Sequence, residues 1–202
     1  MRVYFDRVLT DARMHPWTIS TSDERGRYYD FKRYPELIRT SLEEFRPYER
    51  YAAVELFYQL LEHLNGRTSY LETNDSRLRP NEKNPDAARI PKKFVLQSDI
   101  SVLFRSLGLN LATDAPSQYS QWLIDNLIDS LDSRPEPVYA VIKLYLFPTE
   151  FMTAPVDPDA RGGYSVVYKI LTWGDTEEEQ FENYKQVLEE LLAYFRDLPI
   201  PP

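Results

Sequence analysis

Apolar positions along the chain follow two rhythms, and the places where one gives way to the other outline the elements. Arg2–Leu9 carries Val, Tyr and Phe in a strand-like run. Trp17–Thr21 and Arg27–Lys32 predict a second and third strand, joined by a turn in which Gly26 takes a positive φ. Pro35 suits a first helical position, and Leu37, Ile38, Leu42 and Phe45 then recur at helical spacing until Pro47 interrupts them. Tyr51, Val54, Phe57, Leu60, Leu61 and Leu64 form the clearest apolar helix face, closed by Asn65-Gly66. Tyr70 and Leu71 suggest a short strand. Residues 73–93 lack a period and predict a long polar loop.

Phe94–Leu96 reads as a strand, and Ile100, Leu103, Phe104 and Leu107 as a helix ended by Gly108. Ser117–Leu131 predicts a helix with Trp122, Leu123, Leu127 and Leu131 inward. Val138–Phe147 and Tyr164–Trp173 are the strongest strands. Asp175 and Glu178 form a capping box for a last helix to Asp197, whose core face is Phe181, Tyr184, Leu188, Leu191 and Phe195. Hairpins and paired helices replace β-α-β alternation, which argues against a doubly wound nucleotide fold. The expected class is α+β. One domain over 1–202 would hold an antiparallel or mixed sheet of about six or seven strands, with helices mainly on one face.

Composition narrows the chemistry. The 202 residues are 43% hydrophobic and 14% aromatic, too apolar for a disordered chain. No apolar run exceeds five residues, as in Val138–Ile142, which predicts no membrane-spanning helix. Charges in MRVYFDRVLTDAR stand where a secretory signal needs apolar residues, so a cytoplasmic location is expected. The absence of cysteine removes disulfides, thiolate metal sites and cysteine nucleophiles. P-loop, G-x-G-x-x-G, H-E-x-x-H and G-x-S-x-G motifs are missing. The two histidines, His15 and His63, are too few for a multi-histidine zinc site. His63 falls opposite the apolar face and is expected in solvent. His15 precedes Pro16 in a loop and has no partner visible in the sequence. No cofactor and no metal is expected.

Charge separates the two halves. Residues 1–100 hold 17 basic against 16 acidic groups, and 101–202 hold 7 against 16, within a net charge of −8. Three clusters follow. Glu72, Asn74, Asp75, Arg77 and Arg79 combine arginine forks suited to phosphate or carboxylate with acids that could orient them or bind a sugar hydroxyl. The segment 25–34 interleaves basic and aromatic residues in a way that could stack bases along a phosphate backbone. Asp125, Asp129 and Asp132 lie on one helical stripe, and Glu177, Glu178 and Glu179 open the last helix. Asp157-Pro-Asp159 lacks the later ligands of a calcium loop and is read as a turn.

Two functions fit. The first is a non-catalytic protein-binding module whose acidic C-terminal half meets a basic protein, in an immunity- or antitoxin-like or regulatory role. The second is a binder or enzyme for a phosphate ligand, a nucleotide or single-stranded nucleic acid, centred on 72–79, with Arg77 and Arg79 as anion clamps. Apart from both stands a third possibility, self-association through exposed aromatic strands with no small ligand.

Overall fold

The computed structural model describes residues 2–9, 13–15, 29–111, 117–131, 139–151 and 161–201. Its first half comprises β1 (Arg2–Val8), β2 (Arg13–His15), α1 (Leu37–Ser41), a 3-10 helix (Glu43–Tyr48), α2 (Ala52–Leu64) and β3 (Leu71–Lys83). The second half comprises β4 (Phe94–Phe104), α3 (Leu107–Asn110), α4 (Gln118–Leu131), β5 (Ala140–Phe151), β6 (Arg161–Gly174) and α5 (Glu177–Asp197). The strands form one mixed sheet in the order β1-β5-β6-β4-β3, and β2 continues the β1 edge along the far end of β5. Both N-terminal strands run parallel to β5, and the remaining pairs are antiparallel.

The class is α+β, as the hydrophobic pattern implies; among the described residues the sheet is five strands wide, with β2 as a further short strand on the β1 edge, where six or seven strands were expected. The strand expected at Arg27–Lys32 is absent from its described part. Residues 31–33 form a turn, with Tyr34 N–H donating to the Asp30 carbonyl and Arg33 N–H to the Asp30 carboxylate. Trp17–Thr21, Gly26 and the Asp157-Pro-Asp159 turn lie outside the described residues.

Two further expectations are corrected. Most of the stretch read as a loop at 73–93 is strand β3, up to Lys83. The helix expected through Ile100, Leu103 and Phe104 is the second half of β4, and only Leu107–Asn110 is helical. Residues 100–104 are buried on both faces, so their near-continuous apolar run imitates a helix.

Alternation along the strands sends one set of side chains into a core beneath the helices. Leu96, Ile100 and Val102 of β4, Ile142, Leu144 and Leu146 of β5, and Val166, Tyr168 and Ile170 of β6 meet Phe57 and Leu61 of α2, Leu123 and Leu127 of α4, and Tyr184, Leu188 and Leu191 of α5. The cap of α5 is shifted one residue from the expected box. Thr176 Oγ1 accepts from Glu179 N–H at 3.2 Å, and the Glu179 carboxylate accepts from Asp175 N–H at 2.8 Å. At Gly163 a Cβ would lie 2.2 Å from the Asn110 carbonyl oxygen, so only glycine lets β6 pass α3 there.

The buried tyrosines of this core make a direct comparison. Tyr184 shares a 2.8 Å hydrogen bond with Ser98, whereas the Tyr168 hydroxyl is buried with no hydrogen-bond partner among the described residues. Urea unfolding of Tyr184→Phe should show a loss of roughly 1–2 kcal/mol, because Ser98 is left unsatisfied. Tyr168→Phe should be neutral or stabilising by up to about 1 kcal/mol. Equal losses in both variants would show that the unpaired hydroxyl costs nothing.

Candidate functional site

The second face of the sheet gathers the polar residues that alternation excludes from the core. Register places Arg77 of β3 opposite Asp99 of β4, Asp99 opposite Lys169 of β6, and Lys169 opposite Lys143 of β5. One step along, Asp75, Ser101, Val167, Tyr145 and Arg7 make a second row across all five strands. A cavity of about 210 Å3 opens over these rows, with Leu9 and Phe147 completing its wall.

A bulge decides that β3 contributes charge here. Leu71 and Thr73 face the helix side opposite Phe104 and Val102, and continued alternation would carry Asp75, Arg77 and Arg79 after them. The register shifts between Thr73 and Asp75, so Ser76 and Leu78 turn to the core side while the charged residues turn to the cavity side. A second shift between Arg79 and Glu82 passes Pro80 and Asn81, which has a positive φ of 60°. Proline is tolerated because β3 is an edge strand.

Three cations, Arg7, Arg77 and Lys169, line the cavity against two acids, Asp75 and Asp99. Arg77 lies 3.4 Å from Asp75. Among the described residues, no hydrogen bond or ion pair within 4 Å engages Arg7, Lys169 or the Asp99 carboxylate. Burial holds the Asp99 carboxyl above its usual range against the pull of Lys169; Asp75 adds to the rise, and Arg77 and Arg79 oppose it. At the cavity rim the Tyr145 hydroxyl donates to Asp6 at 3.0 Å, and burial together with that carboxylate pushes its pKa up. Lys143 lies 3.7 Å from Asp6 and above the Tyr4 ring.

At one end this face closes. Leu103, Phe147 and Phe151 are buried on it, and Ser101, Ser165 and Thr149 are linked by hydroxyl contacts of 3.1 and 3.2 Å. Beside them the Glu72 carboxylate, only 5% exposed, is paired with Lys32 and lies 3.2 Å from His15 Nε2. His15 also meets the edge of Phe151, with ring centroids 5.9 Å apart. His15 and Glu72 stand on opposite edges of the sheet, four strand spacings or roughly 19 Å apart along a flat surface. Their contact requires the sheet to curl strongly at this end.

The residues singled out in the sequence fare differently. Asp75 and Arg77 reach the cavity. Arg79 is exposed on the same face but does not line it. Asn74 sits in the bulge, and Glu72 belongs to the buried ion cluster. In the segment 25–34, Lys32 meets Glu72, whereas Phe31 joins the core and stacks on Tyr29. Sequence reasoning missed Arg7, Asp99, Lys169 and Tyr145, which single strands present without any motif. It also missed the pairing of His15 with Glu72, 57 positions apart in the chain. His63, expected in solvent, is half-buried and donates from Nε2 to the Phe195 carbonyl at 3.1 Å.

On the acidic side, Asp125 and Asp129 are exposed on α4, with Asp125 accepting from Gln121. Asp132 lies outside the described residues. Glu177 is engaged by Tyr51, Asn81 and Arg50, which hold its pKa below the usual range. Glu179 caps α5 and pairs with Lys92, and Glu178 is exposed. No group of three or more potential metal ligands occurs among the described residues. Comparison with known protein families, curated proteins and solved structures finds no match.

A carboxyl whose folded pKa is raised favours folding at low pH and loses that contribution as pH rises through its unfolded value to its folded one. Asp99→Asn should therefore unfold at higher urea than wild type at pH 7, and the difference should vanish below the usual aspartate range. An unchanged midpoint at pH 7 would show that Asp99 is not held at a cost. At the closed end, Lys32→Met should destabilise by roughly 2–4 kcal/mol, and adding Glu72→Gln should restore part of the loss. A double variant weaker than the single would mean that the carboxylate is not the source of the penalty.

Proposed function

We propose that the protein is a binding protein for a small anionic ligand, held in the cavity on the second face of the sheet. The observation that carries this reading is the convergence of Arg7, Arg77 and Lys169 on one cavity in a protein of net charge −8. Cations that gather against the overall charge raise the local concentration of anions and offer several donors to one oxyanion. Two of the three have no ion pair in the described protein, so an incoming anion does not first have to displace a carboxylate from them. The volume falls below the ~300–1,000 Å3 of drug-sized sites, which favours a compact ligand. Strands on both sides of the cavity fix its donors, so ordering them costs little entropy.

The acidic helix faces offer less support for a basic protein partner. Of the acids singled out in the sequence, Glu177 and Glu179 already satisfy groups within the molecule, while Glu178, Asp125 and Asp129 are exposed; Glu182 and Glu189, also exposed on α5, lie within 4 Å of Lys185.

Thermal-shift titration at low salt with inorganic phosphate, pyrophosphate and citrate tests the proposal. At 100 times its dissociation constant a ligand contributes roughly 2.7 kcal/mol, which is visible as a rise in melting temperature. Arg77→Ala and Lys169→Ala should weaken binding at least about tenfold, as expected for charge-assisted bonds, while Arg79→Ala should leave it near wild type. Identical titrations in wild type and in both cavity variants would place any anion elsewhere.

A further inference from the structure

Resting on that reading, we infer that the ligand is a phosphorylated sugar or polyol, in which a hydroxyl group faces Asp99 while the phosphate is held by the surrounding cations. Asp99 occupies the middle of the row Arg77, Asp99, Lys169, directly opposite each cation in register. Adjacent strands lie about 4.8 Å apart, so an oxyanion that bridges Arg77 and Lys169 passes within reach of the Asp99 carboxylate. A ligand that was oxyanion alone would bring like charges together there. The conflict disappears when the ligand also carries a donor, because a carboxylate accepts a hydroxyl hydrogen bond that no group of the described protein supplies.

The neighbouring groups point the same way. Asp75 lines the cavity one row along, and Ser101, whose hydroxyl donates to Ser165, lines the same floor. Leu9, Phe147 and Val167 form an apolar wall against which the carbon–hydrogen face of a sugar can pack. Burial keeps the Asp99 carboxyl poorly solvated, so a hydroxyl donor replaces water it largely lacks. Arg7 stands across the cavity from Asp75, in the same row but at the β1 edge, which leaves room between them for the ring.

Isothermal titration of wild type, Asp99→Asn and Asp99→Ala with inorganic phosphate, ribose 5-phosphate, free ribose and O-phosphoethanolamine tests this assignment. Wild type should bind ribose 5-phosphate at least about tenfold more tightly than inorganic phosphate, since a site built around a hydroxyl discriminates strongly for it. In Asp99→Ala that preference should shrink to within about threefold, while inorganic phosphate binds as well as before or better, because a like charge has gone. An unchanged preference in both Asp99 variants would overturn the role of Asp99. Tighter binding of O-phosphoethanolamine than ribose 5-phosphate would replace the hydroxyl by an amine. Equal affinity of wild type for phosphate and ribose 5-phosphate would remove the sugar and leave the anion site standing. Failure of every phosphate to bind wild type would remove the anion site itself. Asp99→Asn keeps the shape of the side chain, and its circular dichroism spectrum separates a lost preference from a lost fold.

Discussion

Side chains on a strand alternate between two faces, and every feature of the second face depends on keeping that alternation in phase across five strands. The phase is set by the buried face that holds Leu96, Ile142 and Ile170, which α2, α4 and α5 cover. Once those residues face inward, Asp99, Lys169, Tyr145 and Val167 have to face outward. Strands β3 and β1 begin out of phase with their charges, and register shifts at Asn74 and at Asp6 correct them. Without the bulge Asp75 and Arg77 would enter an apolar core, where unpaired charge is unaffordable. The same irregularity leaves the Asn74 side-chain oxygen buried without a hydrogen-bond partner among the described residues, a local cost of the correction.

Buried groups close both ends of this face, Val95 and Trp173 at one and an ion cluster with apolar residues at the other. Glu72, drawn by Lys32 and His15, ties the turn at 31–33 and β2 to the opposite sheet edge. Phe151 and Leu103 fill the space beneath. The cavity begins where this closure stops, at Ser101 and Phe147, and its polar floor runs from there to Asp99 and Lys169. A buried ion cluster therefore shapes a pocket that it does not line. On the outer edge the Glu44 carboxylate accepts from Leu78 N–H at 2.9 Å, so the 3-10 helix occupies a backbone donor that would otherwise invite another strand.

Much of the architecture was legible from periodicity, and the parts that were not share a physical cause. Helices α2, α4 and α5 and strands β5 and β6 each bury one regular face, and the pattern revealed them. Strand β3 was hidden because two register shifts and Pro80 break its period, so LETNDSRLRPNEK shows no alternation to read. Strand β4 was mistaken in its second half because both its faces are covered. The α5 cap slipped by one residue because Asp175 and Thr176 both suit a cap, and local backbone geometry chooses Thr176. The candidate site was half legible: Asp75 and Arg77 stand in one polar cluster, but Asp99, Lys169 and Arg7 come from separate strands and meet only through register.

One pairing also bears on how the chain assembles. Strand β1, at the very start of the described chain, hydrogen-bonds in parallel to β5, so Val3 waits for Ile142. During synthesis at ~5–20 residues per second, that partner emerges roughly 7–28 s after β1 does. Until then Tyr4 and Phe5 have no place in the sheet, and the β5–β6 hairpin must form before the fold can be sealed. Such distant contacts slow folding, because loop closure precedes any reward from pairing. A nascent chain of this protein therefore carries β1, with Val3 still uncovered, until β5 has emerged.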